Sequence, residues 1–257
     1  MLTLILINLT SFDPNYQREW FSANWTCSLY MSMMYLTIIY YGKKIMNNQM
    51  GFSLRKILFV WNSILALFSL MGTWNLLPEL IDSVSSMGFY NSICLNSFIE
   101  NPKIEFWMWL FTWSKIVELG DTMFILMKKQ KLIFLHWIHH LLTLNYCFFV
   151  YSLAPGTSRW GITINYLIHS IMYSYYALKS VRFPVHDLVS QLITNLQIIQ
   201  MIIGFFVGLT AVHQAIQSPN RCSNTLSSSL ATTGITLFYL ILFIKFYFNR
   251  YFKTKLN

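Results

Sequence analysis

Long apolar runs alternate with short polar connections along the whole chain. An α-helix needs about 20 mostly apolar residues to cross the hydrocarbon core of a bilayer. Seven runs approach this length, and the predicted spans are residues 25–42, 57–81, 104–127, 132–151, 161–180, 188–212 and 230–251. The third and fifth are polar enough that a hydropathy profile alone would miss them. The pattern predicts the fold class: an all-α, polytopic membrane protein with seven transmembrane helices.

Composition agrees with a membrane protein and not with a soluble one. Hydrophobic residues make up 55% of the chain and charged residues 11%, and the mean hydropathy is +0.48. A net charge of +9 could indicate binding to nucleic acid. However, the basic residues occur in short clusters between apolar runs, which is the distribution that orients membrane proteins. We therefore expect a lipid bilayer, and no nucleic acid, as a partner.

The basic residues also predict the orientation, because lysine and arginine collect on the cytosolic side. Twelve lie on one side of the predicted bundle: Lys43, Lys44, Arg55, Lys56, Lys128, Lys129, Lys131, Lys179, Arg182, Arg250, Lys253 and Lys255. Only Arg18, Lys103, Arg159 and Arg221 lie on the other. This bias places the N-terminus in the lumen and the C-terminus in the cytosol.

The same argument divides the chain into three parts. Residues 1–24 form a lumenal N-terminal tail, 25–252 the membrane domain and 253–257 a cytosolic tail. Glycosylation sequons at Asn8 and Asn24 suit a lumenal N-terminus. Lysines at positions 253 and 255 resemble a dilysine signal for retrieval to the endoplasmic reticulum. These features predict a multi-pass protein of that membrane.

Two of the four cysteines are candidates for a disulfide. Cys94 and Cys222 both fall in connections on the predicted lumenal side, where an oxidising compartment permits a bridge. Cys27 and Cys147 fall inside spans, where a small buried apolar residue is the commoner role. We therefore predict a disulfide between Cys94 and Cys222.

Three of the six histidines lie within five residues of one another, inside an apolar run. His136, His139 and His140 have the spacing i, i+3 and i+4, which places them on one face of a helix. A charged group that faces lipid at the centre of a helix costs about 2.5 to 3.5 kcal/mol. Such a cluster therefore faces the bundle interior and indicates a functional site.

Neighbouring spans carry polar stripes that would face the same interior. The third span has Lys115, Glu118 and Asp121 at i, i+3 and i+6, which form either part of a site or an ion pair that fixes helices. The fifth and sixth spans add Asn165, His169, Thr194, Gln197 and Gln200. Polar groups in a membrane interior need partners, so three helices converge on the histidines.

The residue types alone leave three classes of protein open: an enzyme that uses a catalytic set of imidazoles, a di-iron or zinc membrane enzyme, and a membrane protein without catalytic activity. A membrane desaturase or hydroxylase uses histidine boxes of the HxxHH type around two irons, but it needs more histidines than the six in this chain. A single zinc ion held by three imidazoles stays open on spacing. A seven-helix receptor or transporter without catalytic activity is the third class.

The motifs resemble a known family. Lys115-x-x-Glu118-x-x-Asp121-Thr122 and His136-x-x-His139-His140 are similar to the first two signature motifs of the ELO fatty acid elongases. The other two motifs correspond to Asn165-x-x-x-His169-x-x-Met172-Tyr173-x-Tyr175-Tyr176 and Thr194-x-x-Gln197-x-x-Gln200. The resemblance extends from about Phe52 to the C-terminus and is greatest to the branch that elongates saturated and monounsaturated chains of palmitate length.

The resemblance implies a fold and an activity. It implies seven helices, six of which form a barrel around a narrow acyl tunnel with the first helix outside. It implies condensation of a long-chain acyl-CoA with malonyl-CoA, which gives 3-oxoacyl-CoA, CoA and carbon dioxide without a metal or other cofactor. A ketoreductase, a dehydratase and an enoyl reductase would complete the elongation cycle, and the resemblance is compatible with a homodimer.

A hypothesis for the site follows from this chemistry. His139 accepts the acyl group, as the resemblance implies for this histidine of the box, and His169 positions the malonyl unit or stabilises its enolate. Asn165 and Gln197 donate hydrogen bonds, and His136 and His140 orient the reacting imidazoles. The predicted substrate-binding residues are Lys115, Glu118, Asp121, Tyr173, Tyr176, Gln200, Lys128 and Lys129.

Overall fold

Nine α-helices account for most of the described part of the chain, residues 12–218 and 221–252 of a computed structural model. They are α1 (Pro14–Asn24), α2 (Cys27–Asn47), α3 (Arg55–Cys94), α4 (Pro102–Glu118), α5 (Gly120–Met127), α6 (Phe134–Tyr151), α7 (Ser158–Ser180), α8 (Asp187–Gln217) and α9 (Leu226–Tyr251). A 3₁₀ turn, Ser97–Glu100, precedes α4, and these ranges contain no strand. The predicted all-α class is confirmed. The Asn8 sequon and the lysines at 253 and 255 lie outside the described residues.

Local sequence explains where several helices begin. The side chain of Asp13 accepts hydrogen bonds from the backbone N–H groups of Asn15 and Tyr16, and Pro14 occupies the first position of α1. Asn101 caps α4 in the same way, ahead of Pro102. These side chains satisfy N–H groups that have no partner within the helix, and proline loses nothing at a position where its missing N–H is not needed.

Three helices are long and apolar enough to cross a membrane by length and composition. They are α3, α8 and α9, which correspond to the second, sixth and seventh predicted spans. Three such helices in one chain indicate a multi-pass membrane protein.

The structure differs from the predicted helix boundaries at three places. The predicted N-terminal tail contains α1, a helix that the apolar pattern does not indicate. The third predicted span is divided at Leu119 into α4 and α5. The second predicted span continues to Cys94, through a kink at Gly88, whose φ of 79° favours glycine.

Six helices pack on one another in a closed order. Helix α3 packs against α7, α7 against α8, α8 against α9, α9 against α6, α6 against α4, and α4 against α3. Helix α2 packs on α5 and α6, and α1 on α4 and α6. The histidine helix α6 therefore has α4 on one side and α9 on the other, and both contribute residues to its surroundings.

Two covalent or ionic links fix one end of this bundle. Cys94 at the end of α3 forms a disulfide with Cys222, with 4.7 Å between their Cα atoms. The fully buried guanidinium of Arg159 pairs with Glu79 at 3.0 Å and donates to Ser97 Oγ at 2.8 Å. A buried cation needs such partners, so Arg159 ties α7 to α3 and to the 3₁₀ turn.

Candidate active site

The three histidines of α6 lie together, as their helical spacing predicts. The ring centroids of His136 and His140 are 4.5 Å apart, and those of His139 and His140 are 5.7 Å apart. His140 is buried, whereas His136 and His139 are partly accessible. The cluster therefore has a buried member behind two imidazoles that a substrate can approach.

His136 belongs to a chain of hydrogen bonds that reaches α2. Its Nε2 lies 3.1 Å from Thr122 Oγ1, and Thr122 Oγ1 lies 2.6 Å from the hydroxyl of Tyr35. Tyr35 and Thr122 are almost fully buried. Hydrogen bonds of this kind hold an imidazole in one orientation, so the position of His136 depends on a helix outside the closed order.

His139 has a different environment, since no described residue forms a hydrogen bond with its ring. Its Nδ1 is buried without a partner. Its ring instead contacts the ring of Tyr239 in α9, with centroids 4.6 Å apart, and the Tyr239 hydroxyl donates to the His139 backbone carbonyl at 3.1 Å. A buried polar atom without a partner is unusual in a folded protein, which distinguishes His139 from His136.

The polar stripe of α4 forms a buried ion pair within one helix. Lys115 Nζ lies 2.7 Å from Glu118 Oε1, which also accepts from Ser114 Oγ at 3.0 Å. Lys115 Nζ approaches Asn165 Oδ1 of α7 at 3.4 Å and lies 4.0 Å from the ring centroid of Phe111. The pair thus connects α4 to the site residue Asn165 on the neighbouring helix.

Asp121 is held from two sides. Trp61 Nε1 donates to its Oδ1 at 2.6 Å, and the hydroxyl of Tyr173 donates to its Oδ2 at 2.8 Å. Trp61 can reach this position because Gly120 has no side chain: a Cβ there would lie 2.8 Å from the Trp61 ring. These hydrogen bonds join α3, α5 and α7 at one carboxylate.

The fifth and sixth spans contribute the remaining predicted residues. Asn165 Nδ2 lies 3.3 Å from Nε2 of His169, one helical turn later, and His169 is buried. Gln197 Nε2 points to Met172 Sδ at 3.3 Å. The structure therefore places Asn165 between Lys115 and His169, whereas Gln197 contacts α7 through a sulfur atom.

An elongated, partly open cavity begins at His139 and extends toward the C-terminal end of α6. Asn165 and Gln200, two other predicted site residues, line it beside His139. Most of its remaining lining is apolar or aromatic, including Met108, Phe111, Tyr146, Cys147, Val150, Ile203, Val207 and Ile235. An apolar cavity with a few polar groups at one position is typical of a site for a lipid-like ligand.

Some predicted site residues lie away from this cavity. Tyr176 is 46% exposed. Lys128 and Lys129 follow α5, and Lys129 Nζ donates to the backbone carbonyls of Asn47 and Gln49. These lysines lie at the opposite end of α6 from Tyr151, since they precede its first turn in the chain.

A metal centre has little geometric support in the described residues. Across 12–218 and 221–252, no group of three or more His, Cys, Asp or Glu side chains is placed to hold a metal ion. His136 Nε2 is occupied by Thr122, and the planes of the His139 and His140 rings are inclined by 81°.

Sequence reasoning missed Tyr239 and Thr143, which form part of the His139 environment. Thr143 Oγ1 lies 2.8 Å from the Tyr239 hydroxyl. A signal was present: Thr232, Thr236 and Tyr239 have the spacing i, i+4 and i+7, which is one polar face of an apolar helix, and all three line the cavity.

Comparison with known proteins gives consistent matches. The family model described as ELO: GNS1/SUR4 family matches residues 20–257. The very long chain fatty acid elongase 6 of Drosophila melanogaster is 41% identical over 236 residues, which cover 91% of this chain and 75% of that protein. The Homo sapiens protein of the same description is 37% identical over 240 residues, covering 93% of this chain and 90% of that protein. The Homo sapiens very long chain fatty acid elongase 3 is 34% identical over 241 residues, covering 93% and 88%.

Proposed function

The chain belongs to the ELO family of fatty acid elongases, and from this premise we propose that it condenses a long-chain acyl-CoA with malonyl-CoA. The products are 3-oxoacyl-CoA, CoA and carbon dioxide. The observation that carries the proposal is the position of His139, an imidazole with an unpartnered buried nitrogen at the wall of a long apolar cavity. The reaction needs the two thioesters as substrates and no cofactor.

His139 is the proposed acyl acceptor. The lone pair of a ring nitrogen attacks the thioester carbonyl, the C–S bond breaks, and the proton from the other ring nitrogen leaves with the CoA thiolate. The product is a neutral acyl-imidazole. Cys147 also lines the cavity, but it lies two helical turns from His139 and has no described base beside it to remove its proton.

The second half of the reaction uses malonyl-CoA. Loss of carbon dioxide leaves an electron pair on the α-carbon, and this carbon attacks the acyl carbonyl. The C–N bond to His139 breaks, and the released imidazole takes up one proton from solvent, which restores the neutral ring. His169 would position the malonyl thioester and stabilise its enolate oxygen, together with Asn165, which lies 3.3 Å from it. Lys115 lies beside Asn165 and would provide positive charge at the same oxygen.

Seven membrane spans would surround this site. They are α2, α3, α4 with α5, α6, α7, α8 and α9, and the closed packing order of α3, α7, α8, α9, α6 and α4 supports a six-helix barrel around the cavity. The bias of lysine and arginine supports a lumenal N-terminus and a cytosolic C-terminus in the endoplasmic reticulum. The CoA phosphates would then meet Lys128 and Lys129 on the cytosolic side.

The purified protein in detergent tests the proposal. With acyl-CoA alone it should release one CoA per active site and retain an acid-labile acyl group on the peptide that contains His139. His139→Ala should lower both the label and the condensation rate by about a thousandfold or more. His213→Ala is the matched control, because His213 is an exposed histidine of α8 away from the cavity. Equal labelling of His139→Ala and the parent protein would contradict the acyl-imidazole.

A further inference from the structure

The end of the cavity farthest from His139 is polar, although its middle is apolar. The carboxylate of Glu105 and the side chains of Tyr151, Thr157 and Ser158 line this end. Glu105 is only 3% exposed. An ionisable group at membrane depth that faces a cavity is costly unless it has a partner, and it is a functional candidate by default.

Among the described residues, Glu105 forms an ion pair with one side chain, which belongs to a helix outside the six of the closed packing order. Arg18 of α1 donates to Oε2 of Glu105. The same helix inserts Phe21, which is fully buried and contacts the Tyr151 ring with centroids 4.5 Å apart. Helix α1 therefore supports both polar residues from behind and keeps them at the cavity wall.

Tyr151 has a hydroxyl that no described residue satisfies. The oxygen is buried and has no hydrogen-bond partner among the described residues, and Tyr151 lines the same cavity as Glu105. A buried hydroxyl without a partner carries a desolvation cost. The terminal methyl group of an ordinary acyl chain cannot remove this cost, whereas a terminal hydroxyl can.

The distance from His139 to Tyr151 fits a chain of common length. They are separated by twelve residues of α6, which correspond to about 18 Å along the helix axis. A fully extended chain advances about 3.6 Å for every three backbone bonds, or about 1.2 Å per bond. An acyl group attached to His139 therefore reaches Tyr151 with about 15 bonds, that is about 16 carbons.

We propose that the far end of the cavity is a binding site for a polar ω-terminus, and that the protein accepts ω-hydroxylated acyl-CoAs of this length. The terminal hydroxyl donates to the Glu105 carboxylate and accepts from the Tyr151 hydroxyl. This inference rests on the proposed condensing function, because it assumes that the acyl chain starts at His139. It identifies a substrate class for the same site.

Competition between paired substrates tests the inference. Malonyl-CoA is supplied with hexadecanoyl-CoA and 16-hydroxyhexadecanoyl-CoA, and the ratio of kcat/KM is read from the two products by mass spectrometry. We expect a preference of about five- to tenfold for the hydroxylated chain, because the hydrogen bonds to Glu105 and Tyr151 are partly offset by the removal of the terminal hydroxyl from water. The corresponding dodecanoyl pair should show no such preference, since its end stops short of Tyr151.

Two substitutions separate the hydrogen bond from the packing. Tyr151→Phe keeps the ring contact with Phe21 but removes the hydrogen-bond donor for the substrate hydroxyl, so it should lower the preference for the hydroxylated chain. Tyr30→Phe, on the exposed surface of α2, is the matched control and should retain it. The inference would be overturned if the parent protein favoured the methyl-ended chain at both lengths. It would also be overturned if Tyr151→Phe left the ratio of kcat/KM for the two long substrates unchanged.

Non-hydrolysable analogues keep this test independent of the proposed function. Alkyl and ω-hydroxyalkyl CoA thioethers of the same two lengths cannot transfer their chains, so binding affinity alone gives the preference. If the protein does not catalyse condensation but still binds the long ω-hydroxyalkyl thioether more tightly, the proposed function is contradicted and the binding site for the polar ω-terminus is supported. Equal binding of the two long thioethers would overturn the terminal site whether or not condensation occurs.

Discussion

The hydroxyl of Tyr239 donates to the backbone carbonyl of His139 at 3.1 Å, while the rings of the two residues lie 4.6 Å apart. Since the Tyr239 proton is used in this bond, Thr143 must donate to the Tyr239 oxygen, 2.8 Å away. One residue of α9 thus holds both the backbone and the ring of the proposed acyl acceptor. This contact gives α9 a role in positioning His139.

Tyr239→Phe should therefore slow acyl transfer without weakening substrate binding. The ring contact with His139 stays, but the hydrogen bond to the carbonyl is lost, and such a bond contributes about 1 kcal/mol. We expect kcat to fall about fivefold with KM unchanged. The measurement is steady-state condensation with saturating malonyl-CoA. Tyr41→Phe, on the exposed face of α2, is the control. A fall in kcat equal to that of Tyr41→Phe would argue against a positioning role.

Tyr173→Phe should lower stability through Asp121. The substitution leaves the Asp121 carboxylate with Trp61 as its remaining described side-chain donor. Loss of a hydrogen bond to a charged group at a buried position costs about 1.5 to 3 kcal/mol. Thermal unfolding in detergent should show a lower midpoint, whereas Tyr175→Phe, two residues further along α7 and partly exposed, should leave it nearly unchanged. Equal midpoints for the two variants would show that Asp121 does not depend on Tyr173.

Gly72→Ala should destabilise the contact between α3 and α7. A Cβ at this position would lie 2.5 Å from the ring of Tyr166, which is buried and held by a hydrogen bond from its hydroxyl to the Trp107 carbonyl. Because the ring cannot move away freely, we expect a loss of about 1 to 3 kcal/mol in the free energy of unfolding. Gly234→Ala is the matched control, since nothing lies within 4 Å of its added methyl group. It should be neutral or stabilising, because alanine favours helix. The reverse order of stability would contradict the packing described here.

Removal of the disulfide should lower stability without abolishing the fold. Cys94→Ser breaks a link that closes a loop of 128 residues, and long loops gain most from such a link. Peptide mapping under non-reducing conditions should recover the two cysteines in one cross-linked fragment from the parent protein. The thermal midpoint of Cys94→Ser should fall, and Cys27→Ser, at a free cysteine, should leave it unchanged. Recovery of both residues as free thiols would contradict the link.

The apolar pattern predicts the all-α class and the histidine face because these depend on neighbours in sequence. The apolar runs locate helices by length, and the i, i+3, i+4 spacing alone places His136, His139 and His140 on one side. The division at Leu119 could not be predicted, because it accompanies the approach of Trp61 from another helix to Gly120.

Residues near the site were missed for a similar reason. A tyrosine in an apolar run is as typical of a packing or interface position as of a site. Tyr239 therefore cannot be assigned to the surroundings of His139 until α9 is placed beside α6. Arg18 and Glu105 lie far apart in the chain, and each alone indicates only a polar end of a helix. Their pairing depends on α1, which hydropathy does not indicate.

The disulfide between α3 and the segment that joins α8 to α9 limits how far these helices can separate at one end of the bundle. Cys94 and Cys222 link α3 to the connection between α8 and α9, at the end of the bundle opposite Lys128 and Lys129. Together with the proposed CoA site at Lys128 and Lys129, this link predicts that substrate enters and product leaves at the end of the bundle that the disulfide does not hold.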